Sequence, residues 1–133
     1  MTSSFGLDQI AQIHLSVEDI DRSVVFYRDV LGMRLLFQVP GQSMAFFDCG
    51  GVRLYLGKPE RESFRSSALI YYRVADLDQA CSALKQRGAE LESEPHVVHR
   101  TDAMELWMAA LRDPDGHAVM LMCERQKVPA AAN

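Results

Sequence analysis

Side chains able to do chemistry concentrate in two stretches of this 133-residue chain. The first is Gln12–Val17, where apolar and polar residues alternate as they do in a strand with one packed face and one polar face. His14 lies on the polar face, with Gln12 beside it. Its imidazole could act as a general base, bond a ligand or bind a metal ion. It could equally be a partly buried histidine whose ring nitrogens are satisfied by neighbouring groups.

The second stretch, 96–108, combines imidazole, guanidinium, carboxylate and indole groups. Glu105 could take part in proton transfer next to a carbonyl, together with an imidazole on a facing strand. His96, Arg100 and Glu105 close together would form a polar clamp on a ligand, or they would only pin a loop. Trp107 shares a predicted strand face with Glu105. It would form a flat apolar wall beside a cleft, unless it is plain core.

The sequence predicts a strand followed by a helix, and this unit occurs twice. These elements would position the groups named above. Asp19 is a predicted N-cap, and the apolar residues after it recur at helical spacing until Gly32. The strand at Leu69–Val74 begins the second copy, because Ile13 and Ile70 are equivalent at an offset of 57 residues (70 − 13). The same offset carries the first helical stripe and its cap onto matching residues in the second half: Asp76, Leu77, Cys81 and Leu84.

Each copy continues with strands separated by turn residues. We predict strands at 10–17, 33–39, 43–49 and 52–56, then at 69–74, 89–92, 104–111 and 118–124. Residues 58–66 read as a linker, 95–102 as less regular, and 1–8 and 128–133 as a lead-in and a frayed tail. The predicted fold is α+β: a single domain, 1–133, of two repeated βαβββ modules (about 9–58 and 67–124) forming a cleft.

Composition narrows the class of partner. The formal net charge is −4 and no Lys/Arg cluster falls on a predicted element, so we expect no nucleic-acid partner. No apolar run approaches the roughly 20 residues that cross a bilayer, and the first residues do not read as a secretory signal, so we expect no membrane association. Three cysteines, odd in number and without metal or redox spacing, suit the reducing cytoplasm.

Two motifs resemble those of a known superfamily: Val17-x-Asp19-x-x-Arg22-Ser23-x-x-Phe26-Tyr27-x-x-Val30-Leu31-Gly32-Met33 and Arg112-Asp113-Pro114-Asp115-Gly116. Both are similar to the vicinal oxygen chelate superfamily, which includes glyoxalase I, bleomycin-resistance proteins, extradiol dioxygenases and methylmalonyl-CoA epimerases. The resemblance implies the glyoxalase/bleomycin-resistance fold. It does not imply one reaction, because this fold hosts several chemistries as well as binding proteins.

The resemblance also implies where a metal would be bound. Metal-dependent members carry His or Gln, Glu, His and Glu at four positions, which fall here on Gln12, Leu54, Leu69 and Met120. Only Gln12 has an oxygen donor, so the usual site is missing and we expect no cofactor. The alternative is a displaced divalent-metal site built around His14, with Glu105 or another of the four histidines.

Other residues on the predicted open faces would contact a ligand. Tyr71 and Arg73 occupy the face of the second repeat that matches His14 in the first. Arg73 could hold a carboxylate or phosphate, or it could pair with Glu105 or Asp48. Several leucines and methionines, Met120 among them, would make the cleft apolar, unless that region has closed into core or a dimer interface.

Two functions therefore compete. The first is a protein that binds a small, largely apolar molecule in the inter-module cleft without a metal, with Gln12, Tyr71, Arg73, His96, Arg100, Trp107 and Met120 as ligand contacts. The second is a glyoxalase-like lyase, isomerase or dioxygenase, with His14 and Glu105 as catalytic residues. In both cases we expect a homodimer, because modules of this size often cover their open sheets with a partner.

Overall fold

The computed structural model describes residues 5–127. Its strands are β1 (Gln12–Ser16), β2 (Arg34–Gln38), β3 (Met44–Cys49), β4 (Val52–Gly57), β5 (Ile70–Arg73), β6 (Leu91–Arg100), β7 (Met104–Arg112) and β8 (Ala118–Gln126). Helix α1 (Ile20–Val25) continues into a π-helical turn (Phe26–Val30), and α2 spans Leu77–Gln86. A short 3-10 turn (Glu62–Phe64) lies in the segment between the modules. Residues 1–4 and 128–133, part of the predicted lead-in and the predicted tail, lie outside the described range.

The strands form two four-stranded sheets with the same topology. The first has the order β1-β4-β3-β2 and the second β5-β8-β7-β6, and in each the first strand is parallel to its neighbour. One helix packs on one face of each sheet, so the opposite face, called the open face below, has no helix of its own. This confirms the predicted α+β fold of two βαβββ modules. No helix within residues 5–127 has the length and apolar character required to span a membrane.

Both helices begin where the sequence predicts. The Asp19 carboxylate accepts a hydrogen bond from the backbone N–H of Arg22, at 3.1 Å. The Asp76 carboxylate accepts one from the N–H of Gln79, at 3.0 Å. Each bond satisfies an N–H that the first helical turn leaves without an intrahelical partner. At the other end of the first helix, Gly32 has φ +72°, a left-handed conformation that glycine adopts without steric cost.

Strand β6 differs from its prediction. The sequence indicated a strand only at 89–92 and an irregular segment around Pro95, whereas β6 runs without interruption from Leu91 to Arg100. Proline lacks a donor N–H and is therefore tolerated mainly on edge strands, and β6 is an edge strand. Irregularities in its register with β7 absorb the extra residues.

The two modules are joined through a buried acidic turn after β7. The Tyr27 hydroxyl, at the end of the first helix, donates to the Asp113 carboxylate at 2.8 Å, and both residues are buried. Burial, followed by the nearby Asp113 charge, raises the pKa of Tyr27 above its ordinary range, so the hydroxyl stays protonated and acts as the donor. Phe26 and Leu31 pack against the apolar cores of both modules. Polar and apolar contacts therefore hold the modules in one arrangement.

The Tyr27–Asp113 bond predicts the effect of removing one oxygen atom. Tyr27→Phe leaves the Asp113 carboxylate buried with only backbone donors, so we expect a loss of about 1–3 kcal/mol in the free energy of unfolding. Urea titration followed by circular dichroism measures it. Tyr71→Phe removes the same atom from a half-exposed side chain and should change stability by less than about 0.5 kcal/mol. Equal effects of the two substitutions would contradict the structural role of the bond.

Candidate functional site

His14 lies on the open face of the first sheet, as its alternation pattern predicts, but its ring nitrogens are both engaged. Nε2 lies 3.2 Å from the carbonyl oxygen of Gly57. Nδ1 lies 3.0 Å from the hydroxyl oxygen of Ser66, which also lies 2.7 Å from the carbonyl oxygen of His14 and shares its single proton between these two acceptors. Because a carbonyl can only accept, Nε2 carries a proton toward Gly57. A general base or a metal ligand at His14 would require one of these bonds to break.

An aromatic row crosses the open face of the first sheet. Strand pairing places His14 beside Tyr55, Tyr55 beside Phe46, and Phe46 beside Phe37. The ring centroids of successive neighbours are 4.5, 4.7 and 4.6 Å apart, within the range of stacked aromatic pairs. Of these four residues, the sequence analysis singled out only His14. Alternation in β3 could have separated Phe46 on the open face from buried Phe47, but the pairing of four strands is needed to reveal the row.

Glu105 and Trp107 occupy the helix-facing side of the second sheet, not the open face. Trp107 packs against the core below α2, and the guanidinium of Arg125 lies 4.3 Å from the centroid of its ring. Arg125 in turn forms an ion pair at 3.1 Å with Asp78 of α2. The prediction that Glu105 and Trp107 share a face holds, but that face borders the helix. His14 and Glu105 therefore do not form a common proton-transfer site within one chain.

The polar clamp predicted around Glu105 forms in part. Arg100 donates to one Glu105 oxygen at 2.9 Å, and the Trp107 indole N–H donates to the other at 3.1 Å. The bond from Arg100, followed by that from Trp107, holds the pKa of Glu105 below its ordinary value. His96 takes no part, because its Nδ1 lies 2.7 Å from the carbonyl of Glu94 and its strand partner is Met108. These contacts tie β6 to β7 at the strand ends.

The side chains at the implied metal positions do not fit a divalent metal ion. Leu54 is buried in the first core, so that position does not reach the open face as the resemblance implied. Gln12 and Met120 offer an amide oxygen and a thioether, and Leu69 offers no donor at all. Within residues 5–127, no three His, Cys, Asp or Glu side chains group as a metal site would require. Hard and borderline cations require a richer set of carboxylate or imidazole donors.

The open face of the second sheet is apolar at its centre. Strand pairing aligns Tyr71 with Met120, Arg73 with Met122, and Met122 with Met108. Thioether side chains fill irregular contacts and adapt their shape, so this surface suits an apolar partner. Of the predicted ligand contacts, Gln12, Tyr71, Arg73, His96 and Met120 lie on open faces, whereas Arg100 and Trp107 lie on the helix-facing side.

A pocket of about 400 Å³ lies at the seam between the modules, lined by residues of β1 and β4 from the first and β5 from the second. We call it the seam pocket. Most of its wall is apolar, and the polar groups come from both modules, with Arg53 on β4 and Arg73 on β5. Its lining consists of Ile13, Cys49, Gly50, Val52, Arg53, Leu54, Ile70, Tyr71, Tyr72 and Arg73. The sequence analysis identified Tyr71 and Arg73 in this group, but missed Arg53 and Tyr72.

The lowered pKa of Glu105 predicts a pH-dependent contribution to stability. The unfolded chain takes up a proton on Glu105 at a higher pH than the folded protein does, so the contribution is complete above the unfolded pKa, about 4.3. It is lost as the pH falls through the lower folded pKa. We expect Glu105→Gln to lower the melting temperature at neutral pH and to lose this effect in acid.

Melting curves of both proteins across this pH range provide the measurement. Glu60→Gln, at an exposed carboxylate that forms no ion pair within residues 5–127, is the charge-matched control. A Glu105→Gln deficit that is constant with pH would show that the carboxylate charge contributes nothing.

Comparison with known proteins places this geometry in a family. The family model described as Glyoxalase/Bleomycin resistance protein/Dioxygenase superfamily matches residues 6–121. The chain is 28% identical to the uncharacterized protein YraH of Bacillus subtilis over 124 residues, covering 84% of this chain and 94% of YraH. It is also 28% identical over 128 residues to a lactoylglutathione lyase of Haemophilus influenzae, covering 84% and 89%.

Among solved structures, TnmS3, an antibiotic binding protein from a Streptomyces species, superposes with a TM-score of 0.70 at 22% identity. The superposition covers 92% of this chain and 100% of that one. At this identity the likeness shows the fold alone. The matched motifs, the duplicated sheet and the extent of the family match together show that the chain belongs to the glyoxalase/bleomycin resistance protein/dioxygenase superfamily.

Proposed function

We propose that this protein binds a small, largely apolar molecule in the seam pocket, without a resident metal ion. The observation that carries the proposal is the pocket itself. Its volume, about 400 Å³, lies within the range of roughly 300–1,000 Å³ typical of small-molecule sites. Its walls are mostly apolar with a few polar groups, the composition that such sites share. Both modules contribute, so the site exists only in the assembled fold.

The mixed functions of the relatives leave room for either binding or catalysis. A lactoylglutathione lyase and an antibiotic binding protein both resemble this chain. The enzymatic alternative, a lyase, isomerase or dioxygenase, used His14 and Glu105 for proton transfer. Those two side chains lie on different faces, and the ring nitrogens of His14 are both bonded within the chain. The geometry of one chain therefore favours binding over catalysis.

If the ligand binds in the seam pocket, a substitution that fills the pocket should prevent binding. A thermal-shift screen of small aromatic and apolar molecules should yield compounds that raise the melting temperature, because a ligand bound only to the folded state stabilises it. Val52→Phe, which fills part of the seam pocket, should abolish that rise. Val98→Phe enlarges a half-exposed valine on β6, outside the pocket, and should leave the rise unchanged.

Two outcomes of this experiment would contradict the proposal. A ligand-induced rise that survives Val52→Phe intact would place the ligand elsewhere. A stoichiometric metal in elemental analysis of the purified protein, with a melting temperature that falls on adding EDTA, would contradict binding without a metal.

We also propose a homodimer, supported by apolar side chains left half-exposed on the open faces. Phe37 and Tyr71 are 47% and 46% exposed in the single chain. A partner chain that covers these faces would remove that apolar surface from water. The cytoplasmic location remains a prediction, for which the free state of Cys49, Cys81 and Cys123 is the support.

The dimer predicts a position-dependent effect of a buried charge. Phe37→Glu on the open face should convert the protein to a monomer in sedimentation velocity, because an unpaired carboxylate in an apolar interface is costly. Val25→Glu introduces the same charge at a 50% exposed position on α1 and should leave the dimer intact. A wild-type protein that sediments as a monomer would end this proposal.

A further inference from the structure

Arg53 and Arg73 both line the seam pocket, one from each module. Arg53 extends from β4 of the first module and Arg73 from β5 of the second. Within residues 5–127, neither forms an ion pair with a carboxylate, although eight other pairs do form. The sequence analysis left open whether Arg73 pairs with Glu105 or Asp48, and it pairs with neither. No carboxylate of residues 5–127 therefore neutralises the charge of either guanidinium group.

The nearest acidic side chain in register has another partner. Asp48 lies directly opposite Arg53 in the pairing of β3 and β4, on the same face of the sheet. Its carboxylate accepts a hydrogen bond from the backbone N–H of Gly51 at 3.2 Å, across the turn that joins these strands. The Arg53 guanidinium instead lies 5.6 Å from the centroid of the Phe46 ring. This contact orients the guanidinium but does not neutralise its charge.

Tyr72 reaches the seam pocket from the helix-facing side of β5, the face opposite to that of Arg73. Its side chain lines the seam pocket together with Cys49, and it forms no hydrogen bond through its hydroxyl with residues 5–127. Burial raises the pKa of Tyr72 above its ordinary range, and the nearby Cys49 and Asp113 add to the increase. The hydroxyl therefore keeps its proton and is free to donate it in a hydrogen bond.

We infer that the ligand of the seam pocket is an apolar or aromatic carboxylic acid, whose carboxylate is held between Arg53 and Arg73 while its body contacts the apolar wall. The inference rests on the proposed function and specifies its ligand class. Planar guanidinium groups donate two parallel hydrogen bonds to a carboxylate, a geometry that a lysine ammonium cannot reproduce. Ile13, Leu54 and Ile70 form the apolar wall against which the body of the acid would pack.

The pocket favours a carboxylate over a phosphate ester. Moving an anion from water into apolar surroundings carries a desolvation cost that grows steeply with its charge. A carboxylate carries one negative charge, whereas a phosphate monoester carries close to two at neutral pH. A carboxylate therefore loses less favourable hydration than a phosphate ester does when it enters the mostly apolar lining.

The test compares acids with neutral molecules of the same shape. Isothermal titration calorimetry measures the binding of naphthoate, phenylbutyrate and decanoate, and of the alcohol that corresponds to each acid. Naphthyl phosphate provides the phosphate arm. The wild type should bind at least one acid about tenfold or more tightly than its alcohol, since hydrogen bonds to charged groups contribute about 1.5–3 kcal/mol.

Variants then assign the preference to the two arginines. Arg53→Ala and Arg73→Ala should each weaken binding of the acid about tenfold and leave binding of the alcohol unchanged. Arg73→Lys should recover part of the loss, because it keeps the charge but not the fork. Arg34→Ala is the matched control. It removes the same charge from the same sheet face, at a position on β2 that lies opposite Asp48 of β3 in the strand register and outside the pocket.

The outcomes separate this inference from the proposed function. Equal binding of acids and alcohols, or an equal effect of Arg34→Ala, would overturn the carboxylate assignment and leave an apolar binding protein. Tighter binding of naphthyl phosphate than of naphthoate would also overturn it. If no acid and no alcohol binds at millimolar concentration, both the inference and the proposed function fail. Unchanged melting temperatures confirm that each variant is folded.

Discussion

The acidic turn between β7 and β8 sets the relation between the modules, and the candidate site depends on that relation. Asp113 accepts the buried Tyr27 hydroxyl, and Asp115 accepts both the backbone N–H of Glu18, at 2.8 Å, and the Ser23 hydroxyl, at 3.2 Å. All three donors belong to the first helix or the residues just before it. Two carboxylates of the second module therefore fix the first helix in position. Buried polar groups are costly unless bonded, so this arrangement resists sliding of one module along the other.

That constraint explains why the candidate site lies at the seam and not on either sheet alone. Each module buries the helix-facing side of its sheet. The candidate catalytic side chains are engaged in hydrogen bonds within the chain. His14 is held by the linker through Ser66, and Glu105 is held by Arg100 and Trp107. The polar groups that remain available stand where the two modules meet.

Local patterns predicted most of the fold because the fold is built from local signals. The N-caps Asp19 and Asp76 and the alternation of β1 all appear in the sequence as they do in the structure. The side of β7 could not be predicted in the same way. It carries Met108 on one face and Trp107 on the other, so the polarity of its side chains does not indicate which face meets the helix. For that reason, the prediction that Glu105 lies beside the cleft was wrong.

The candidate site was harder to predict because it depends on non-local pairing. Arg53 belongs to the seam only because β4 pairs in parallel with β1, a strand some 40 residues earlier, and such contacts leave no local pattern. The same holds for the aromatic row, whose four members come from four strands. Tyr71 and Arg73 were identified because the repeat places them opposite His14 and Ser16. The repeat therefore predicted the seam residues of β5, because the 57-residue offset relates them to β1, but it did not predict those of β4.

The duplicated positions of the two modules differ in what they contact. At an offset of 57 residues, Tyr71 and Arg73 correspond to His14 and Ser16 (71 − 57 and 73 − 57). In the first module, both positions bind the linker: His14 contacts the Ser66 hydroxyl, and the Ser16 hydroxyl accepts the Ser66 N–H at 2.9 Å. The linker passes only the first module, so the equivalent positions of β5 are not used to anchor chain. These two positions therefore anchor the connecting segment in one copy of the repeat and not in the other.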